Sequence, residues 1–205
     1  MSKNNDLVED ATKREFLYRL GKLVGTATAV SLVGGCGLSE AARYRQGLVA
    51  DEDKGQVFNQ SERAILHSVC DAILPETDTP SASQLDCHGF IEHQLAHCHP
   101  IEQQNNCRSI LRKIQRCSRR QHSNDFVNLS QDQQQNLLRD VENKKGFRAS
   151  DKSKFQFLKA LLIYGYFTSE IGASKVLKYE AIPDGFKGSI PYREGDKTWG
   201  SLGFY

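Results

Sequence analysis

The apolar run near the N-terminus falls short of a bilayer span: Leu23 to Val33 has 11 residues, where a spanning helix needs about 20. An excess of charge of one sign is also missing. Lys and Arg number 27 against 25 Asp and Glu, a formal +2, so no overall positive field draws the chain onto nucleic acid and any basic surface has to be local. Cofactor motifs are absent where they would be expected. Gly35-Cys36-Gly37 lacks the spaced third glycine of a dinucleotide fingerprint, and no strand leads into it. There is no Cys-x-x-Cys-His, which removes covalent haem attachment, and cysteines 34, 17, 11, 9 and 10 residues apart do not cluster as iron–sulfur ligands do. Without a nucleophile-elbow sequence, Ser61, Ser68 and Cys98 are nucleophiles in name alone. Internal repeats and alternating strand patterns are lacking too. What survives these exclusions is a mainly α chain with no catalytic, cofactor or metal site of its own.

What the sequence does contain begins with an address. Thr12-Lys13-Arg14-Glu15-Phe16-Leu17 looks like a twin-arginine export signal with lysine in place of the first arginine, and Lys13, Arg14, Phe16 and Leu17 carry that likeness. The weakly apolar run then ends at Val33-Gly34-Gly35-Cys36, a lipobox-like order whose small residues admit a signal peptidase to the bond before an acylated cysteine. Cleavage there makes Cys36 the lipidated N-terminus of a periplasmic, membrane-anchored lipoprotein. A buried helix with an incidental cysteine is the alternative. The expected division is an export signal over 1–35, a tether over 36–57 and one helical domain over 58–205. Arg43, Arg45, Asp51, Glu52, Asp53 and Lys54 stand among few large apolar groups in the tether, and 39% apolar residues in 205 suffice for one core.

With Cys36 lipidated, Cys70, Cys87, Cys98, Cys107 and Cys117 remain, an odd number for an oxidising compartment. They are candidates for disulfides, two bridges leaving one thiol free or bonded to a partner chain. Burial as small hydrophobes competes, above all for Cys107 and Cys117. Those two lie about 15 Å apart if one helix holds both, too far to bond each other.

Periodicity predicts a compact bundle of about five helices. Asn59-Gln60-Ser61-Glu62 offers a capping box, Ile65, Val69, Ala72 and Ile73 share one face, and Pro75 stops the helix. Pro75-Glu76-Thr77-Asp78-Thr79-Pro80-Ser81 then reads as a fixed loop. A second helix covers Leu85 to Cys98, burying Phe90, Ile91 and Leu95, and a third runs from Ile101 to Cys117 on a stripe of Cys107, Ile110, Leu111, Ile114 and Cys117. Ser130 caps a fourth, with Leu137, Leu138 and Val141 inside and a stop near Gly146. Phe155 to Ile171 is the most apolar and the expected central helix. Beyond it, glycines alternate with Tyr179, Phe186, Tyr192, Trp199 and Tyr205 in an irregular aromatic segment.

Two clusters invite a ligand. His93 and His97 stand at i and i+4 beside His88, Cys98 and His99, a spacing that can hold a metal, but Gln94, Leu95 and Ala96 supply no zinc-protease glutamate, and a solvated helix end accounts for the set. Arg108, Arg112, Arg116 and Arg119 form a basic stripe able to meet lipid head groups or an acidic partner, or simply solvent. Through either cluster the chain could act as a stand-alone periplasmic lipoprotein binding metal or lipid.

Two blocks are more specific than periodicity. Ala72-Ile73-Leu74-Pro75-Glu76-Thr77-Asp78-Thr79-Pro80 is one. The other is Leu162-Ile163-Tyr164-Gly165-Tyr166-Phe167-Thr168-Ser169-Glu170-Ile171-Gly172, continuing through Tyr179, Pro183, Gly188, Pro191-Tyr192 and Gly195-Asp196-Lys197. Together they resemble the gluconate 2-dehydrogenase subunit 3 family, although Ser81 stands where glycine often follows the proline. The resemblance implies a small accessory subunit without its own cofactor. Its companions would be a large FAD-bearing dehydrogenase of the glucose-methanol-choline type, acting on a sugar or sugar acid, and a multihaem cytochrome c. Pro75, Thr77, Asp78, Thr79, Pro80, Gly165, Tyr166, Phe167, Glu170, Gly172, Pro191, Tyr192 and Trp199 would then belong to the family motif and partner interface.

Overall fold

The structure, a computed structural model, describes residues 35–49, 56–178, 189, 191 and 193–198. Among them are six α-helices: α1 (Gly35–Arg45), α2 (Gln60–Ile73), α3 (Cys87–Cys98), α4 (Ile101–His122), α5 (Gln131–Glu142) and α6 (Ala149–Phe167). A 3₁₀ turn, Phe126–Asn128, joins α4 to α5, and a π-helical turn, Gly172–Val176, follows α6. The chain divides into two units, Met1–Ser39 and Glu40–Tyr205. Only the opening of α1 represents the first unit among the described residues, and the second is the helical bundle. The export-signal residues Lys13, Arg14, Phe16 and Leu17 lie outside the described residues, as do Tyr192 and Trp199. No described helix is long and apolar enough to cross a membrane.

The starts of α2 and α5 are local chemistry. Asn59 accepts the Glu62 amide at 2.8 Å while Glu62 accepts the Asn59 amide at 3.1 Å. Ser130 and Gln133 repeat the exchange at 3.4 and 3.1 Å, so each helix begins with reciprocal satisfaction of two otherwise orphaned N–H groups. In α3 the start shifts from the expected Leu85 to Cys87. Asp86 sits in the left-handed region (φ 49°) and caps Gly89, while Asp71 of α2 holds Ser83 through its amide and hydroxyl at 3.0 and 2.7 Å. Helix α4 outruns its expected end at Cys117 because no breaker occurs before Ser123, which adopts φ 53°. Helix α6 begins six residues earlier than expected, where Asp151 accepts the Arg148 amide at 2.9 Å, and it ends at Phe167 rather than Ile171.

Packing follows the apolar stripes. Helix α6 touches α3, α4 and α5, and α2 packs on the same three. Phe155, Leu158, Leu161, Leu162 and Tyr166 of α6 are buried together with Phe90, Ile91 and Leu95 of α3 and the whole expected stripe of α4. Each of these large side chains contributes about 1.5–3 kcal/mol of burial. Ionic ties fix the register: Arg63 of α2 grips the buried Glu92 of α3 through two nitrogens at 2.8 and 3.0 Å, and Glu92 also accepts the Phe58 amide at 2.9 Å.

Residues 40–49 differ from the expected tether. Ala41 and Val49 are buried, and the Tyr44 hydroxyl donates to Asp86 at 2.6 Å with its ring edge-on to Phe90, centroids 5.9 Å apart. Arg45 lies over the Phe90 ring at 4.7 Å and donates to the carbonyls of Leu85 and Gly165 at 2.9 and 2.5 Å. A composition that looks hydrophilic hides a packed face, because tyrosine and arginine cover apolar surface while keeping their polar tips bonded. Cys36 falls in the first turn of α1.

Candidate functional site

The two sequence blocks, 72–80 and 162–172, come together in space. The loop from Leu74 to Ala82 is closed at its base by the Ala82 amide bonding the Leu74 carbonyl at 3.0 Å and pinched at its tip by the Thr77 amide on the Thr79 carbonyl at 3.0 Å. The Thr77 hydroxyl reaches Asp78 at 3.0 Å, and Gln84 spans the loop, accepting the Ser81 amide at 2.8 Å and donating to Glu76 at 3.1 Å. Short polar side chains and two prolines thus satisfy the turn internally. From α6 the buried Tyr166 then donates its hydroxyl to the Pro80 carbonyl at 2.9 Å, with the Thr79 hydroxyl at 3.3 Å. Pro75, Thr79 and Pro80 are half-buried by this clamp, and Glu76, Thr77 and Asp78 are left exposed.

Two glycines make the other wall possible. A Cβ on Gly165 would lie 2.6 Å from the Phe90 ring, and one on Gly172 would lie 1.9 Å from the Tyr166 carbonyl oxygen. At Gly172 the close approach is organised by Ser169, whose hydroxyl donates to the Tyr166 carbonyl at 2.6 Å and accepts the Gly172 amide at 3.0 Å. The chain therefore leaves α6 in a wide π-helical turn. Phe167 is half-buried beside Tyr166, ring centroids 5.3 Å apart, and Glu170 is exposed. Residues 193–198 return to this end: the Lys178 amide bonds the Thr198 carbonyl at 2.8 Å, and Lys197 reaches the Lys175 carbonyl. Pro191 is exposed. The Tyr166 hydroxyl is thus engaged by the loop, and exposed acids stand beside half-buried proline and phenylalanine.

The histidines do not assemble a metal centre: among the described residues no group of three or more His, Cys, Asp or Glu side chains could hold an ion. His93 is buried, its ring 4.4 Å from that of His97 and 5.0 Å from that of Tyr44. Its Nε2 lies 3.3 Å from a Glu40 oxygen, within ion-pair range, yet neither ring nitrogen is aligned for a hydrogen bond. Burial, then the neighbouring His97, pushes His93 below the usual histidine range.

Cys70, Cys87, Cys107 and Cys117 are buried and Cys98 is half-buried, with no disulfide among the described residues. Burial lifts the Cys70 thiol well above the usual range, Cys87 to about 11 and Cys107 to about 12, which leaves little reactive thiolate near neutral pH. Cys107 and Cys117 do share α4, so the helical rise separates them by about 15 Å.

The arginine stripe meets a residue whose second role pattern reading missed. Glu62, besides capping α2, is 2% exposed and accepts Arg112 Nε at 2.6 Å, with Arg108 Nε at 3.4 Å. Burial alone would raise this carboxyl, but the Asn59 amide, Arg112 and Arg108 outweigh it and hold it below the ordinary glutamate value. Its capping-box position was the readable signal. Its partners, 46 and 50 residues away, were not.

A model of the family described as gluconate 2-dehydrogenase subunit 3 matches residues 60–185, more than half of the 205-residue chain. The match spans residues 72–80, 162–172 and all helices from α2 to α6, and it ends before Pro191, Tyr192 and Trp199. No curated protein and no solved structure matches.

Proposed function

The chain belongs to the gluconate 2-dehydrogenase subunit 3 family, and on that premise we propose that it is a small accessory subunit, without its own cofactor, of an FAD-dependent sugar or sugar-acid dehydrogenase. The catalytic partner is a large flavoprotein of the glucose-methanol-choline type, which carries the FAD. A multihaem cytochrome c takes the electrons. The small chain aids export, stability and assembly, and lipidation at Cys36 anchors it to the membrane in the periplasm.

One observation carries most of the weight: the two motif blocks converge on an internally hydrogen-bonded loop whose tip, Glu76, Thr77 and Asp78, is exposed. A surface already held in one conformation loses little entropy when a partner covers it. Half-buried Pro80 and Phe167 supply apolar area, and the exposed acids beside them supply the polar rim usual at such contacts. Export follows from coupling. A folded complex assembled in the cytoplasm can cross on one signal, so the small chain's signal serves both.

Changing Lys13 and Arg14 together to Gln should leave dehydrogenase activity intact but confined to the cytoplasm, measured by fractionating cells and assaying each fraction. Normal export of the large subunit in that double variant would defeat the proposal, as would isolation of the chain from its host as a stable molecule with no dehydrogenase attached.

A further inference from the structure

At the N-terminal end of α2, away from the motif loop at its C-terminal end, a groove of about 830 Å³ opens between α2, α4 and the turn after α4. Arg108, Arg112, Arg116 and Arg119 line it along α4, with Glu62 and Asp125 the acids among its lining residues. From this arrangement we infer that the groove is a docking site for an extended acidic segment of another polypeptide chain.

The guanidinium groups are set in advance. Arg108 and Arg112 use Nε to bind Glu62, and Arg119 uses Nε to bind Asp125 at 2.5 Å. Among the described residues the two terminal amino groups of each make no hydrogen bond, which leaves the fork that grips a carboxylate with two parallel bonds. Arg116 makes no ion pair among the described residues. Four cations against two anions leave the groove with two positive charges to spare.

Shape selects the occupant. The row from Arg108 to Arg119 covers about 16 Å of helix axis, the length of about five residues of extended chain. A small free anion would use one arginine and leave the others idle. Ala64 and Val127, both exposed on the groove walls, add apolar contact of the kind a peptide side chain makes and a head group does not.

The test is a titration of the full chain with a fluorescein-labelled peptide, Glu-Glu-Val-Glu-Glu, followed by fluorescence anisotropy at low and high salt. Saturable binding that weakens with salt is expected. Arg116→Glu, on an exposed side chain with no ion pair among the described residues, should weaken it about tenfold or more. Lys113→Glu makes the same charge change on α4 outside the groove lining and should alter it by less than about twofold. Equal losses in the two variants would overturn the inference, and so would the absence of saturable binding or insensitivity to salt. Capture by phosphatidylglycerol vesicles with no capture of peptide would overturn it in favour of a membrane.

Under the accessory-subunit reading, the large dehydrogenase is the chain that supplies the segment. Because the titration contains no dehydrogenase, its failure leaves that proposal standing. Failure of the dehydrogenase to co-purify would remove the proposal without touching the groove.

Discussion

At Gly172 the backbone passes so close to itself that a single methyl group has nowhere to go. The obstructing atom is the Tyr166 carbonyl oxygen at 1.9 Å, main chain and not the end of a flexible side chain, so the π-helical turn itself must shift. Gly172→Ala should therefore cost about 1–3 kcal/mol, as overpacking does. In a chain of this size each kcal/mol lowers Tm by about 2–4 °C. An unchanged melting temperature would mean that the turn is not held as described. The same residue shows where sequence stopped: a glycine in a family-like block was visible, but that it faces its own helix end and not a ligand depends on how α6 terminates.

Helix α1 illustrates what element-level pattern reading misses. Its last residues carry no apolar stripe, and the region was expected to be a tether, yet Tyr44 and Arg45 bind it to α3 and to the end of α6. Burial and the adjacent Asp86 raise the Tyr44 hydroxyl above the usual tyrosine range, so it stays a donor. Tyr44→Phe keeps the ring on Phe90 and removes the bond to a carboxylate, a loss of about 1.5–3 kcal/mol before discount for partial exposure. The loss should appear locally. Amide hydrogens of Gln46 and Leu48, bonded to Ala42 and Arg43, should exchange faster in the variant while those of α6 keep their rates. Uniform acceleration through α6 would show that α1 is part of the core and not a docked element. By contrast, α2, α5 and the inner face of α4 were legible, because capping boxes and a stripe at i, i+3, i+4 spacing are written in neighbouring residues.

For the molecule as a whole, the consequence of burying these polar groups is sensitivity to acid. Glu62 is held below its ordinary value of 4.5, so its pairs contribute stability that is present above 4.5 and is lost as pH falls through the depressed value. His88, His93 and His99 are each lowered from 6.5, burial first. The unfolded chain therefore takes up protons below 6.5 before the folded one does, and stability declines from there downward. Tm measured from pH 7.5 to 3.5 should fall in two stages, one below about 6.5 and one below about 4.5. Glu62→Gln should flatten the second stage while lowering Tm at neutral pH. A flat profile between pH 6.5 and 5 would contradict the histidine contribution.

The sequence by itself determined the mainly helical class, most helix positions, the apolar faces of α3 and α4, the two family-like blocks and the lack of cofactor-ligand spacing. All of these are local, set by residues within a few turns of one another. Tertiary structure decided what those blocks are for in space: Tyr166 clamps Pro80 across 86 residues, Glu62 gathers arginines into a groove across 46 and 50 residues, and Arg45 reaches Gly165 across 120. Contacts at such separation depend on how helices cross, and helix crossing depends on packing that no window of neighbouring residues records.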